Sequence, residues 1–141
     1  VLTGQGTWRS FLPRGHWAYG GSSLPSYEEN AKGHVLTQDL MIWFWDSYLK
    51  GSRAGGETSD PQATPLEWET PIDVPPALVL TAGLDPLRDE GALFAEKLES
   101  AGVPCRYRLF SKAVHGFVCS QGPSAHHAAA MKEITDWLQS A

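Results

Sequence analysis

The feature that most limits the fold is a short apolar run that does not alternate. Ala77-Leu78-Val79-Leu80-Thr81-Ala82 follows Pro75-Pro76. A strand with one face in water shows a polar residue at every second position, and this one does not. It fits a strand covered on both faces, as in a parallel sheet between two layers. A helix is expected next, from about Arg88 to Ala101, with Leu87, Phe94, Leu98 and Ala101 as its buried stripe and Glu96, Lys97 and Glu99 outside. Gly102 ends it and Pro104 prevents continuation. Cys105–Phe110 then alternates, with Cys105, Tyr107 and Leu109 on one face and Arg106 and Arg108 on the other, as expected near a sheet edge. Ala77 to Leu109 spans about 33 residues, the size of one βαβ unit. A last helix is predicted from about Ala125 to Gln139, with Ala130, Met131, Ile134, Trp137 and Leu138 inward. The predicted fold class is therefore α/β.

The first half is less regular. Residues 1–24 keep neither a helical nor a strand period, and carry no basic start followed by an apolar stretch of the signal-peptide kind. Leu36–Leu49 reads as a helix capped by Thr37, with Asp39 in its first turn and Gly51 beyond its end. Its middle, Leu40-Met41-Ile42-Trp43-Phe44-Trp45, is apolar nearly all round and is expected to be covered on several sides. Gly51–Pro76 holds five prolines among Gly and Ser and reads as a long loop.

Composition narrows the function. Eleven basic against sixteen acidic side chains leave a net charge of −5, which counts against nucleic acid as the main partner. No apolar run reaches the roughly 18 residues of a membrane span. With 42% hydrophobic and 19% charged residues, a chain of 141 residues can form a core. A cytoplasmic location is expected. Cys105 and Cys119 match no zinc spacing, and the adjacent His126 and His127 point about 100° apart on a helix, so no metal is expected. Gly83-Leu84-Asp85-Pro86 is neither phosphate-binding fingerprint.

Sites in open parallel sheets form at the carboxyl ends of strands. Two segments leave such ends: Gly83–Gly91 and Ser111–Phe117. If the strands are parallel neighbours, Asp85 and His115 can meet. An aspartate on one imidazole nitrogen sets the tautomer and leaves the other nitrogen free as a general base. The plain alternatives are that Asp85 before Pro86 caps a helix or turn, and that His115-Gly116 is only a turn. Arg88, Asp89 and Glu90 read as structural residues at a helix start. Trp43, Phe44 and Trp45 read as core or cap packing.

At these residues the chain resembles a known family. Asp85-Pro86-Leu87-Arg88-Asp89-Glu90-Gly91, then Ala101-Gly102-Val103-Pro104, then His115-Gly116-Phe117, look like the C-terminal part of an α/β-hydrolase of the hormone-sensitive-lipase-like, or fold-3, group. Pro25-Ser26-Tyr27-Glu28-Glu29-Asn30 and Leu36-Thr37-Gln38-Asp39, leading into Trp43-Phe44-Trp45, are similar to the segment before that family's acid strand. The resemblance covers Pro25 to Ala141. It implies a cap-like helical segment at 25–70 that helps form the substrate pocket, and a core portion at 71–141, with 1–24 unassigned. It implies that Asp85 is the acid and His115 the base of a Ser-Asp-His triad. The implied activity is carboxylic-ester hydrolysis, with a small ester as substrate and neither metal nor organic cofactor.

The nucleophile is where the chain departs from the family. In this fold the serine precedes the acid, in a Gly-x-Ser-x-Gly elbow. None of Ser10, Ser22, Ser23, Ser26, Ser47, Ser52 and Ser59 has glycine two positions away on both sides, and the His-Gly-Gly-Gly oxyanion segment is absent. The chain begins at Val1, and its first methionine is Met41. A fragment of a longer hydrolase, inactive alone, is therefore expected. Two other readings stand beside it: a partner-binding product that associates through exposed core surface, and a small βαβ binding module without enzyme ancestry.

Overall fold

The computed structural model describes Leu2–Thr3, residues 24–48, Leu66, and residues 74–120 and 124–140. In chain order these form β1 (Leu2–Thr3), α1 (Pro25–Glu29), α2 (Gln38–Tyr48), β2 (Ala77–Leu84), α3 (Arg88–Ser100), β3 (Cys105–Val114), a 3-10 turn (Phe117–Cys119) and α4 (Ala125–Ser140). Apart from Leu66 and residues 74–76, the loop expected over Gly51–Pro76 lies outside the described residues, as does most of 1–24. No helix among the described residues is long and apolar enough to cross a membrane.

The sheet order is β1-β2-β3, with β2 central. β2 pairs parallel with β3, Ala77 opposite Cys105 and Ala82 opposite Phe110, and the short β1 pairs antiparallel with its start. The lack of alternation in β2 has the expected cause. Ala77 and Val79 pack against Phe94, Ala95 and Leu98 of α3. Leu78 packs against Ile134 and Trp137 of α4, and Ala82 against Ala130. Successive side chains point to opposite faces, so each face of β2 meets a helix. Burying Leu98 and Phe94 contributes about 2 kcal/mol each.

The helices follow the predicted boundaries closely. Thr37 Oγ1 accepts from the Leu40 N–H at 3.3 Å, and α3 stops before Gly102. Several inward residues do not behave as expected. On α4 only Ala130, Ile134 and Trp137 are buried, while Met131 and Leu138 are exposed. A helix lying against the sheet touches it along a narrow line, and these two sit beside that line. On α3 the stripe takes in Ala95, and Ala101 is exposed at the helix end. On β3, Leu109 is on the expected face yet 47% exposed, since the buried cluster under α3 takes in only Cys105 and Tyr107 from this strand. Arg106 and Arg108 both reach Glu133 of α4, at 3.5 and 3.4 Å.

The largest correction concerns α2. Met41 is fully buried, but Leu40 and Phe44 are exposed and Trp43 is 59% exposed, so the helix is not covered on several sides. The Trp43 and Phe44 rings meet edge-on at 5.1 Å, and the Trp45 side chain lies outside the described residues. At the start of α2 the Gln38 N–H donates to Ala31 O at 3.0 Å.

β2 and β3 both run further than the sequence reading placed them. Beyond Ala82–Phe110 the register shifts, so that Leu84 faces Val114 and β3 carries extra residues. Gly83 permits this bulge: a Cβ there would lie 2.1 Å from Ser111 O. Ser111–Val114 is therefore strand rather than loop.

α1 packs on the start of α3. Arg88 Nη1 meets Glu29 at 2.8 Å, and the buried Tyr27 hydroxyl donates to Glu90 Oε1. Burial pushes the Glu90 carboxyl up to about 8. The Tyr27 bond opposes the rise, and the charge of Asp85 adds to it. The folded chain thus keeps a proton that the unfolded chain gives up above 4.5, so each step of pH up to about 8 favours unfolding.

Two outcomes are expected. Gly83→Ala should lower the urea-unfolding free energy by about 3 kcal/mol, whereas Leu109→Ala should cost under about 1 kcal/mol. The melting temperature should fall by on the order of 5–10 °C from pH 5 to pH 8, and Glu90→Gln should flatten that slope in a calorimetric pH series.

Candidate active site

The parallel ladder brings the ends of β2 and β3 to one edge of the sheet. Asp85 is the first residue past β2, and His115 the first past β3. His115 Nδ1 lies 2.8 Å from Asp85 Oδ2, so the two candidates, 30 positions apart, are hydrogen-bonded. Of the wider segments expected to carry them, only Asp85–Leu87 and His115–Gly116 separate regular elements.

Asp85 is 7% exposed and both its oxygens are engaged. Oδ1 accepts from the Leu87 N–H at 2.9 Å, while Oδ2 faces His115. The backbone carbonyl of Asp85 accepts from the Arg88 N–H at 3.1 Å. The two sequence readings of Asp85, turn former and histidine partner, are therefore both realised, one by each oxygen. Pro86 follows without an N–H, so no competing donor enters the turn there.

His115 is held from both sides in the chain. The strand ends before it, and Gly116, at φ +76°, turns the backbone into Phe117–Cys119. Phe117 is buried and its ring meets Phe110 at 4.9 Å. The imidazole is 38% exposed. A carboxylate accepts only, so the shared proton sits on Nδ1 and the neutral ring leaves Nε2 with a free lone pair. The bond to Asp85 raises the His115 pKa above its ordinary value, against the opposing effect of burial. The stability that this pairing adds is complete below the ordinary histidine range and is lost as pH rises through the raised value.

The neighbouring acids differ from Asp85. Burial raises the Asp89 carboxyl, but the Arg88 guanidinium and the Ser26 N–H together hold it below the usual range. Sequence reading treated Asp89 and Glu90 as helix-start residues, and attached no role to Ser26 or Asn30. Both of the latter are buried against the Asp85 loop. No periodic pattern shows what they bond to, because their partners in this loop lie 53 to 63 positions away.

The remaining candidates stay apart. His127 Nδ1 lies 2.8 Å from Val118 O. Cys105 and Cys119 are free thiols, and burial pushes Cys105 up to about 11. Among the described residues no three His, Cys, Asp or Glu side chains converge as metal ligands. Of the upstream serines only Ser26 and Ser47 are described: Ser26 is committed to the acid loop and Ser47 is exposed. The other five lie outside the described residues.

Comparison with known proteins identifies the family. The family model for the alpha/beta hydrolase fold matches residues 12–119. Carboxylic ester hydrolase LipN of Mycobacterium tuberculosis is 38% identical over 86 residues, 61% of this chain and 22% of that protein. Carboxylesterase NlhH of the same organism is 38% identical over 96 residues, 68% of this chain and 30% of that protein. A solved fungal esterase of Rhizomucor miehei superposes with a TM-score of 0.75 at 29% identity, over 92% of this chain and 38% of that one. The chain thus spans less than a third of the length of these two curated relatives. The match to more than half its residues, with both motif-bearing strand ends inside it, means that the chain belongs to the hormone-sensitive-lipase-like group of the α/β-hydrolase fold family.

Proposed function

We propose that Asp85 and His115 are the acid and base of a serine-type mechanism for hydrolysing carboxylic esters of modest acyl length. The observation that carries this reading is the 2.8 Å bond from His115 to an aspartate whose other oxygen is already held by the Leu87 N–H. In that arrangement Asp85 keeps the proton on Nδ1, so Nε2 takes the proton of an attacking serine hydroxyl. The serine oxygen bonds to the ester carbonyl carbon, and backbone amides hold the oxyanion. The imidazolium, stabilised by Asp85, returns the proton to the leaving alcohol as the C–O bond breaks. Water then attacks the acyl-serine by the same route, giving the acid and the free serine.

The 141 residues contain no Gly-x-Ser-x-Gly. We therefore propose that this polypeptide supplies acid and base without a nucleophile, and turns over little or no ester alone. A second reading, a non-catalytic chain that associates with itself or a partner, is favoured by Val35, Leu40, Trp43 and Phe44, which leave an apolar surface exposed around α2.

A serine-directed fluorophosphonate should not label the chain stoichiometrically. Labelling that His115→Ala abolishes would reveal a working nucleophile and overturn the proposed inactivity. In an NMR titration His115 should take up its proton above the ordinary histidine pKa, and Asp85→Asn should return it toward that value. A compact monomer in analytical ultracentrifugation would remove the association reading.

A further inference from the structure

The turn that carries Asp85 takes several of its hydrogen bonds from a distant segment. At the end of β2 and just past it, the carbonyls of Gly83, Asp85 and Pro86 are buried and need donors, of which Arg88 supplies one to Asp85 O and one to Gly83 O. The first N–H groups of α3 likewise lack intrahelical acceptors, and the residue at its N-cap, Leu87, cannot supply one from its side chain. Two residues from a segment about 60 positions earlier meet much of this need.

Ser26 is completely buried. Its hydroxyl donates to Pro86 O at 2.6 Å and accepts from the Asp89 N–H at 3.3 Å, while its backbone N–H donates to Asp89 Oδ2 at 2.8 Å. It therefore grips the turn and the helix start together, as a cap supplied from another segment. Asn30, 3% exposed, aims its amide at the same turn. Nδ2 lies 3.3 Å from Asp85 O and 3.5 Å from Gly83 O, and 3.1 Å from Ser26 O across α1. Both residues thus fasten backbone on either side of the Asp85 side chain, and their hydrogen bonds go to that turn and to α1 rather than to His115.

We propose that Ser26 and Asn30 are positioning residues for Asp85: they hold the Gly83–Asp89 backbone so that Asp85 Oδ2 meets His115 Nδ1 while Oδ1 stays on the Leu87 N–H. This rests on the acid–base reading of Asp85 and His115. It makes α1 a working part of the pair, and it ties the segment that continues into α2 to the chemistry at the strand ends. Removing the Ser26 hydroxyl leaves Pro86 O and the Asp89 N–H without partners, a cost concentrated in the Asp85 turn.

The test uses the full chain, with Ser26→Ala and Asn30→Ala read by NMR. Three signals matter: the His115 titration, the exchange of its Nδ1 proton, and the exchange of the Leu87 amide. In either variant the His115 and Leu87 protons should exchange about tenfold faster, and His115 should titrate nearer its ordinary value. The amides of Phe94 and Leu98 in α3 should keep their protection. Equal loosening of Phe94, Leu98, Leu87 and His115 would mean a merely structural role and overturn the proposal. So would unchanged signals in both variants, or a failure of both to fold. If only Ser26→Ala fails to fold, Asn30→Ala decides by the same criteria. A wild-type His115 that titrates as it does in Asp85→Asn would instead remove the acid–base reading itself.

Discussion

The hydrogen-bonded ladder between β2 and β3 is the constraint on which the site depends. It is parallel, so both strands deliver their carboxyl ends to one edge, and its register decides which residues stand level there. The register is not uniform. It holds from Ala77–Cys105 to Ala82–Phe110 and then slips, so that β3 uses more residues than β2 to reach the same edge. Without that slip His115 would not emerge beside Asp85. The slip in turn needs a residue with no side chain at position 83, where the β3 backbone comes closest. One glycine in a strand thus governs the meeting of two residues it does not touch.

Around that edge three carboxyl groups within six positions are given different conditions. Asp85 holds two donors, one from the backbone and one from an imidazole. Asp89 pairs with Arg88 and with the Ser26 N–H. Glu90 has a tyrosine hydroxyl, considerable burial and the charge of Asp85 nearby, and it keeps its proton into the neutral range. The same functional group serves as an acceptor for histidine, a helix-start anchor and a neutral buried contact. What differs is the number of donors each one meets and how far each is taken from water.

The helices α3 and α4 explain the strands, but α2 stands apart from them. Among its described side chains Met41 is buried, while Trp43 and Phe44 are exposed. An apolar helix with one covered side is the usual surface for contact with further protein or ligand. In LipN and NlhH, a carboxylic ester hydrolase and a carboxylesterase, the matched region is under a third of the chain.

Much of this was legible in the order of residues. The unalternating run at Ala77–Ala82 announced a strand between two layers, and Gly102 and Thr37 marked helix ends, because these signals act over a few neighbouring positions. The ordered motifs around Asp85 and His115 pointed to a pair. What a periodic pattern cannot carry is how wide a covered stripe is, so Met131, Leu138, Trp43 and Phe44 read as covered and lie exposed. Nor can it carry a bond between positions 60 apart. Ser26 in α1 and Asn30 just past its end look like ordinary polar residues until folding places them under the Asp85 turn. Local signals singled out Asp85, His115 and the elements that bear them. Only the packed chain set the register, the bulge and the buried donors that give Asp85 its geometry, since each arises from contacts between segments distant in sequence.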